Sequence, residues 1–261
     1  MSDSFCVLAG QSMLSARDLV ASSAARAAQW RPGLKAASNS EVFAAGNDAS
    51  GGSAALALAL DELRQLDQGP LAEAEDRRAV LWVQDRASVR LTGRPYRPGL
   101  PQAIRHRVIH VMAEKVEDAL FALEEGLRCR DLACVIGELA GNPRALDFTA
   151  SRRLSLAAEK HGVPLWLVRI DAARDLSSAR MRWQVKPAVS HAPQWNAQAP
   201  GQPRWHAELF RARSHPPGNW ILSDDGQTLT ADRTVSASGK RATAPHPVGM
   251  AFAAGGRSLA G

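Results

Sequence analysis

Short apolar runs of strand length alternate with segments of helical period, and this alternation constrains the fold more than any other feature of the chain. AVLWV (79–83), Leu132–Ile136 and PLWLVRI (164–170) are nearly continuous apolar stretches, as expected of strands covered on both faces. Between them, Glu117–Arg130 carries Ala119, Leu120, Leu123 and Leu127 at the 3.6-residue period, with charges on the other face. Leu146–His161 reads the same way, with Leu154, Ala157 and Ala158 inward and Gly162 placed to end the helix in a left-handed conformation. Two further strands, EVFAA (41–45) and VIHVM (108–112), and a helix from Ala54 to about Leu66 complete the series. This order predicts an α/β fold with a mostly parallel central sheet flanked by helices.

After residue 170 the pattern changes. Met181–Val185, Trp205–Arg211 and Asn219–Ser223 are strand candidates with no helix between them, which predicts an antiparallel extension of the sheet. Residues 1–38 read as a peripheral segment with a weak helix around Met13–Trp30. Residues 39–223 read as the α/β domain, and 224–261, rich in Gly, Ser, Ala and Pro, as a disordered basic tail. Arg90–Gln102 is crowded with Gly and Pro and reads as a loop.

No apolar run approaches the roughly 20 residues of a membrane span, so no membrane partner is expected. The start has acidic Asp3 and no basic flank before its short apolar stretch, unlike a secretory signal. Three cysteines are too few for a disulfide framework, and the seven histidines form no metal spacing with them. A reducing cytoplasm and no metal site are the expectations, with Cys129 and Cys134 read as small core residues.

Charge is unevenly spread. Residues 1–140 carry 16 basic and 18 acidic side chains, whereas 141–261 carry 16 and 8, so the net charge of +6 comes from a second half at +8. A basic half fits an acidic partner such as nucleic acid, and equally an Arg-rich composition without one. Two groups of residues could make such contacts. Arg94 and Arg97 bracket Pro95-Tyr96 in the Gly/Pro loop; Arg180, Arg182, Trp183, Lys186, Arg204, Trp205, Arg211 and Arg213 lie on and beside the antiparallel strands. Mixtures of Arg and Trp suit single-strand stacking or a protein contact, while solvated sheet edges would give the same pattern.

GNDASGGS (46–53) lies between a strand and a helix, where a phosphate-binding loop belongs. Against G-x-x-x-x-G-K-[ST] it supplies Gly46, Gly51 and Ser53, with Gly52 in place of the lysine that would reach the β- and γ-phosphates. The magnesium carboxylate is expected at the end of an apolar strand. After Ile136 stands Gly137, with Glu138 one residue on and read as a strand cap in solvent; Asp85 ends another strand. Two degraded components weigh against hydrolysis, so no cofactor is expected, with ATP the one nucleotide the loop could have held.

Several segments together resemble the ImuA family: LWVQDR (81–86), RPYRPGLP (94–101), VEDALFALEEGLRCRDLACVIGEL (116–139), LDFTASRRLSLAAEKHGVPLWLVR (146–169), SSARMRWQV (177–185) and RWHAELFRARSHPPGNWIL (204–222). The resemblance covers roughly residues 40–222. It implies a RecA-like domain in an accessory protein of SOS-induced, error-prone translesion DNA synthesis. The partners it implies are a Y-family polymerase homologue, an error-prone polymerase III alpha-type subunit, the RecA recombinase and single-stranded DNA, in the cytoplasm or at the nucleoid. Two other roles are compatible with such a domain: a DNA-stimulated ATPase that remodels recombinase filaments, and an inhibitor of cell division.

Overall fold

The computed structural model describes residues 29–34, 38–67, 76–196 and 198–234. They build a single nine-stranded sheet with the order β3-β2-β4-β5-β1-β6-β7-β8-β9. The strands are β1 (Asn39–Ala44), β2 (Ala79–Asp85), β3 (Val108–Ala113), β4 (Leu132–Ala140), β5 (Leu165–Ile170), β6 (Met181–Pro187), β7 (Arg204–Ala212), β8 (Gly218–Asp224) and β9 (Leu229–Arg233). The first six in that order, β3 to β6, pair in parallel, and β6 to β9 form an antiparallel meander. The expected mostly parallel α/β sheet with an antiparallel extension is what the chain adopts.

Helix α1 (Ser50–Asp67) covers one face of the sheet, and α3 (Val116–Arg128) and α4 (Phe148–His161) cover the other. Seven successive residues of α1, Ala54 to Leu60, are buried, so this stretch of the helix is enclosed on all sides rather than amphipathic. α4 is capped at both ends as its sequence requires. The Asp147 carboxylate accepts the Ala150 N–H at 2.7 Å, and Gly162 takes the left-handed conformation with φ 71°.

Three boundaries differ from the sequence reading. A short helix, α2 (Arg86–Thr92), takes up the first three residues of the expected loop Arg90–Gln102; Asp85 caps it and Gly93, at φ 78°, ends it. The peripheral N-terminal segment contributes to the core through Trp30, whose ring packs edge-on against Trp183 at 4.6 Å and Trp220 at 5.3 Å between centroids. Such aromatic pairs are worth about 0.5–1.5 kcal/mol beyond area burial, so Trp30 ties the chain start to the antiparallel half. The sheet also runs past 223: β9 lies inside the stretch read as disordered tail. It has only Leu229 and Ala231 to turn inward, too few to register as a strand without β8 beside it. The weak helix around 13–30 falls, but for its last two residues, outside the described residues, as does the tail from 235 on. Among the described residues no helix is long and apolar enough to cross a membrane.

Candidate functional site: the glycine loop at the carboxyl ends of the strands

Ligands of open α/β sheets bind in the crevice beyond the carboxyl ends of the parallel strands. The loop Gly46–Ser53 follows β1 at that edge, and Asp85, Glu138 and Asp171 stand at the ends of β2, β4 and β5. The location is that of a phosphate site. The local chemistry is different.

Helix α1 begins at Ser50, four residues earlier than its apolar run, so Gly51, Gly52 and Ser53 form its first turn. Packing accounts for both glycines. A Cβ on Gly51 would meet Val168 Cγ1 at 2.7 Å and Ala44 Cβ at 2.9 Å; one on Gly52 would meet Glu138 Oε1 at 2.8 Å. The glycines let the helix approach the sheet closely. A phosphate loop needs free backbone N–H groups and a cation. Here the Gly46 N–H donates to Asp171 Oδ1 at 2.8 Å and the Ser50 N–H to Asp48 Oδ1 at 2.8 Å. The Ser53 hydroxyl donates to Ala49 O at 2.7 Å and accepts from Trp205 Nε1 at 3.2 Å. The Gly46 and Ser50 amides and the Ser53 hydroxyl are thus engaged within the protein, the two amides by carboxylates that would repel a polyphosphate.

Glu138 faces the loop from β4. Contrary to a solvated strand cap, it is only 3% exposed. Its carboxylate accepts from Trp82 Nε1 at 2.8 Å, Gln84 Nε2 at 3.1 Å and Thr92 Oγ1 at 3.0 Å. Burial raises its pKa above the usual carboxylate range, and these three donors only partly offset that. Gln84 Oε1 in turn meets His110 Nε2 at 2.9 Å, which extends the network to the edge strand β3. Gly137, the position aligned with a magnesium carboxylate, points to the opposite face, against Leu123 and Leu167. Alternation along β4 makes Glu138 the residue that looks at the loop. Asp85 is committed as the cap of α2, accepting the Ser88 N–H at 2.8 Å and the Ser88 hydroxyl. Gly46, Gly51, Gly52 and Ser53 are therefore brought together at one site, with Asp85 engaged nearby in a structural role.

Above the loop opens a cavity of about 590 Å³, walled chiefly by aromatic and apolar groups including Trp82, Trp205, Tyr96 and Leu56, with Glu138 in its lining. Gly52→Lys places a four-carbon cation against Glu138 while leaving the Gly46 amide held by Asp171. Its ammonium pairs with the Glu138 carboxylate, so the substitution is expected to bring no measurable gain in magnesium–ATP affinity. Titration calorimetry checks this; micromolar ATP binding by that single variant would show that the carboxylates do not block the loop.

The basic residues divide. Arg182, Trp183 and Trp205 are buried, at 3%, 0% and 4% exposure, and so form no contact surface. Their apparent clustering in sequence reflects strand alternation: Trp183 and Trp205 belong to the core beneath α1, and Arg182 Nε reaches Glu41 Oε2 at 2.7 Å. Arg180 pairs with Glu159, and half-buried Arg204 donates to Ser223 Oγ at 2.9 Å. Arg94, Arg97, Lys186, Arg211 and Arg213 are exposed. Arg94 and Arg97 flank Tyr96 in the loop before β3, whereas Lys186 and Arg211 lie on β6 and β7, strands remote from β3 in the sheet order. Cys134 is buried, its thiol pushed up to about 12, but Cys129 is exposed rather than a core residue.

What the residues missed by sequence reasoning share is a partner remote in the chain. Asp171, at φ 50°, has no motif around it. Glu41 follows Asn39 and Ser40 in β1, and its sequence neighbours do not mark it as buried.

Fold and site together define an open α/β protein with a glycine loop in which carboxylates take the Gly46 and Ser50 amides. No family model matches the chain. Protein ImuA of Caulobacter vibrioides strain NA1000 / CB15N is 36% identical over 159 residues, covering 55% of this chain and 59% of that protein. Protein ImuA of strain ATCC 19089 / CIP 103742 / CB 15 matches to the same extent. The match spans about 59% of the length of these curated relatives.

Proposed function

We propose that the chain is an accessory or scaffold protein of damage-inducible, error-prone translesion DNA synthesis, with a RecA-like domain that works through macromolecular contacts rather than nucleotide hydrolysis. The similarity to ImuA supports the pathway, and the strand order with a glycine loop on β1 supports the RecA-like reading. The observation that carries the non-hydrolytic part is the hydrogen bond from the Gly46 amide to Asp171, next to Gly52 packed on Glu138. A loop built this way lacks the cation that stabilises a transferring phosphoryl group, and carboxylates face the position a polyphosphate would take.

In this reading the partners are a Y-family polymerase homologue and an error-prone polymerase III alpha-type subunit, with the RecA recombinase and single-stranded DNA as further contacts. The surface available for them comprises Arg94, Arg97, Lys186, Arg211 and Arg213, all exposed. Co-purification of the full chain with the polymerase homologue tests the scaffold role. Substituting Arg211 and Arg213 with Ala is expected to weaken capture, and unchanged capture would remove the C-terminal strands from the interface. ATP turnover, with and without single-stranded DNA, is expected at background level; recombinase-like turnover would replace the scaffold by a filament-remodelling ATPase. Should two or three of these cations neutralise phosphates, the logarithm of single-strand affinity falls against the logarithm of salt with a slope of about −1.4 to −2.1. A flat salt dependence would exclude direct DNA binding through them.

A further inference from the structure

The cavity above the glycine loop has a ligand preference that its position conceals. Its walls are aromatic and apolar, and among the described residues its ionisable lining groups are Glu138, Asp224 and Asp225 against Arg94 alone. Behind the rim, Arg64 Nη2 is tied to Gly226 O at 3.1 Å and Asp61 adds a further carboxylate. Asp224 is buried, which raises its pKa from the usual carboxylate value, whereas the N–H groups of Thr228 and Gln227 hold the Asp225 carboxyl low. A site so lined favours an apolar body that carries cations.

One segment of the chain has that chemistry. Residues 235–261 contain Lys240, Arg241 and Arg257, no acidic residue, and the apolar stretch Met250-Ala251-Phe252. The described chain ends at Thr234, whose N–H bonds Asn219 O at the end of β9 remote from the cavity. Retracing the five residues of β9 covers about 17 Å. The six residues from Val235 to Lys240 span about 20 Å when extended. Lys240-Arg241 is therefore the first part of the segment able to return to the rim at Asp224 and Asp225, and residues 250–252 have ample length to enter the apolar interior.

We propose that this cavity is a peptide-binding site and that its occupant is the basic C-terminal segment of the same chain, with Lys240-Arg241 against Asp224 and Asp225 and apolar residues of the segment among Trp82, Trp205 and Tyr96. The site where other open α/β proteins read an anion here reads a cation. Tethering gives the segment an effective concentration of about millimolar, so weak contacts suffice to hold it. The inference stands apart from the proposed pathway, and either can fail without the other.

The test uses the full chain and a zero-length carbodiimide, which joins a lysine amine to a carboxylate in contact with it. The chain has only five lysines, so the products are readily assigned by mass spectrometry of peptides. The expected product joins Lys240 to Asp224 or Asp225 at about tenfold the yield of any other Lys240 linkage, following the tethered concentration. In an equimolar mixture of 15N-labelled and unlabelled chains its two halves carry the same label. Absence of this product, dominance of another Lys240 linkage, or mixed labels that place the segment on a second copy would each overturn the proposal. Tryptophan emission supplies a second reading. High salt is expected to shift it in the natural chain and not in a Lys240→Ala, Arg241→Ala variant, while an equal shift in both would overturn the assignment. Micromolar ATP binding by that same variant would also overturn it, because the vacated cavity would then be reading an anion.

Discussion

Glu41→Ala is expected to lower the unfolding free energy by about 3–5 kcal/mol, the cost of stranding buried cations. Glu41 lies inside β1 with its carboxylate 2.7 Å from Arg182 Nε and 3.7 Å from Arg169 Nη1, and it accepts the Ser177 hydroxyl at 2.7 Å. Both arginine side chains are almost wholly buried, and Arg182 stacks over the Phe43 ring at 5.0 Å. Among the described residues Asp175 is the other carboxylate nearby: partly exposed, it hydrogen-bonds Arg169 at 3.4 Å but stands 3.7 Å from Arg182, so Arg182 would lose its close partner. Removing the shared anion leaves two guanidiniums desolvated with one half-exposed counter-charge. Replacing the set together, Glu41→Leu with Arg169→Leu and Arg182→Met, is expected to recover most of the loss, because similar volumes refill the site without charge. Urea unfolding of both variants checks this. A loss below about 1 kcal/mol for Glu41→Ala would show that water reaches the cluster.

Gly137→Asp carries a comparable penalty for a different reason. By alignment with nucleotide-binding strands this change would rebuild a magnesium carboxylate. In the fold, a Cβ at 137 meets Leu123 Cδ2 at 2.8 Å and Leu167 Cδ1 at 3.1 Å, within the core beneath α3 and α4. Overpacking costs about 1–3 kcal/mol, and a carboxyl among leucines without partners adds about 1–3 more even when neutral. A total near 4 kcal/mol would consume much of a typical domain's 5–15 kcal/mol. The expected result is a large fall in the denaturation midpoint with no recovery on adding magnesium. A magnesium-dependent rise would mean that β4 turns residue 137 toward the loop.

Both predictions rest on strand faces, which is also where sequence and structure part. The runs 79–83, 132–136 and 164–170 announced buried parallel strands because every residue in them but Arg169 is apolar, and the helices over 117–130 and 146–161 announced themselves by period. The position of the glycine loop between β1 and α1 was equally legible. Which side chain at a strand end faces the loop was not, since a continuous apolar run carries no alternation to mark its two sides. Gly137 and Glu138 were exchanged in role for that reason. Trp183, Trp205 and Arg182 read as a contact surface because composition counts residues without assigning them to a face.

The order of elements, the parallel-to-antiparallel change after 170 and the missing lysine at Gly52 were encoded locally, in periods and residue types within a few positions of one another. The capture of the Gly46 amide by Asp171, the pairing of Glu41 with Arg169 and Arg182, and the seating of Trp30 on Trp183 and Trp220 join residues more than a hundred positions apart. Such contacts arise when sheet order and register bring remote strands side by side, and burial then sets their energy by removing the water that would otherwise compete for each charge and donor.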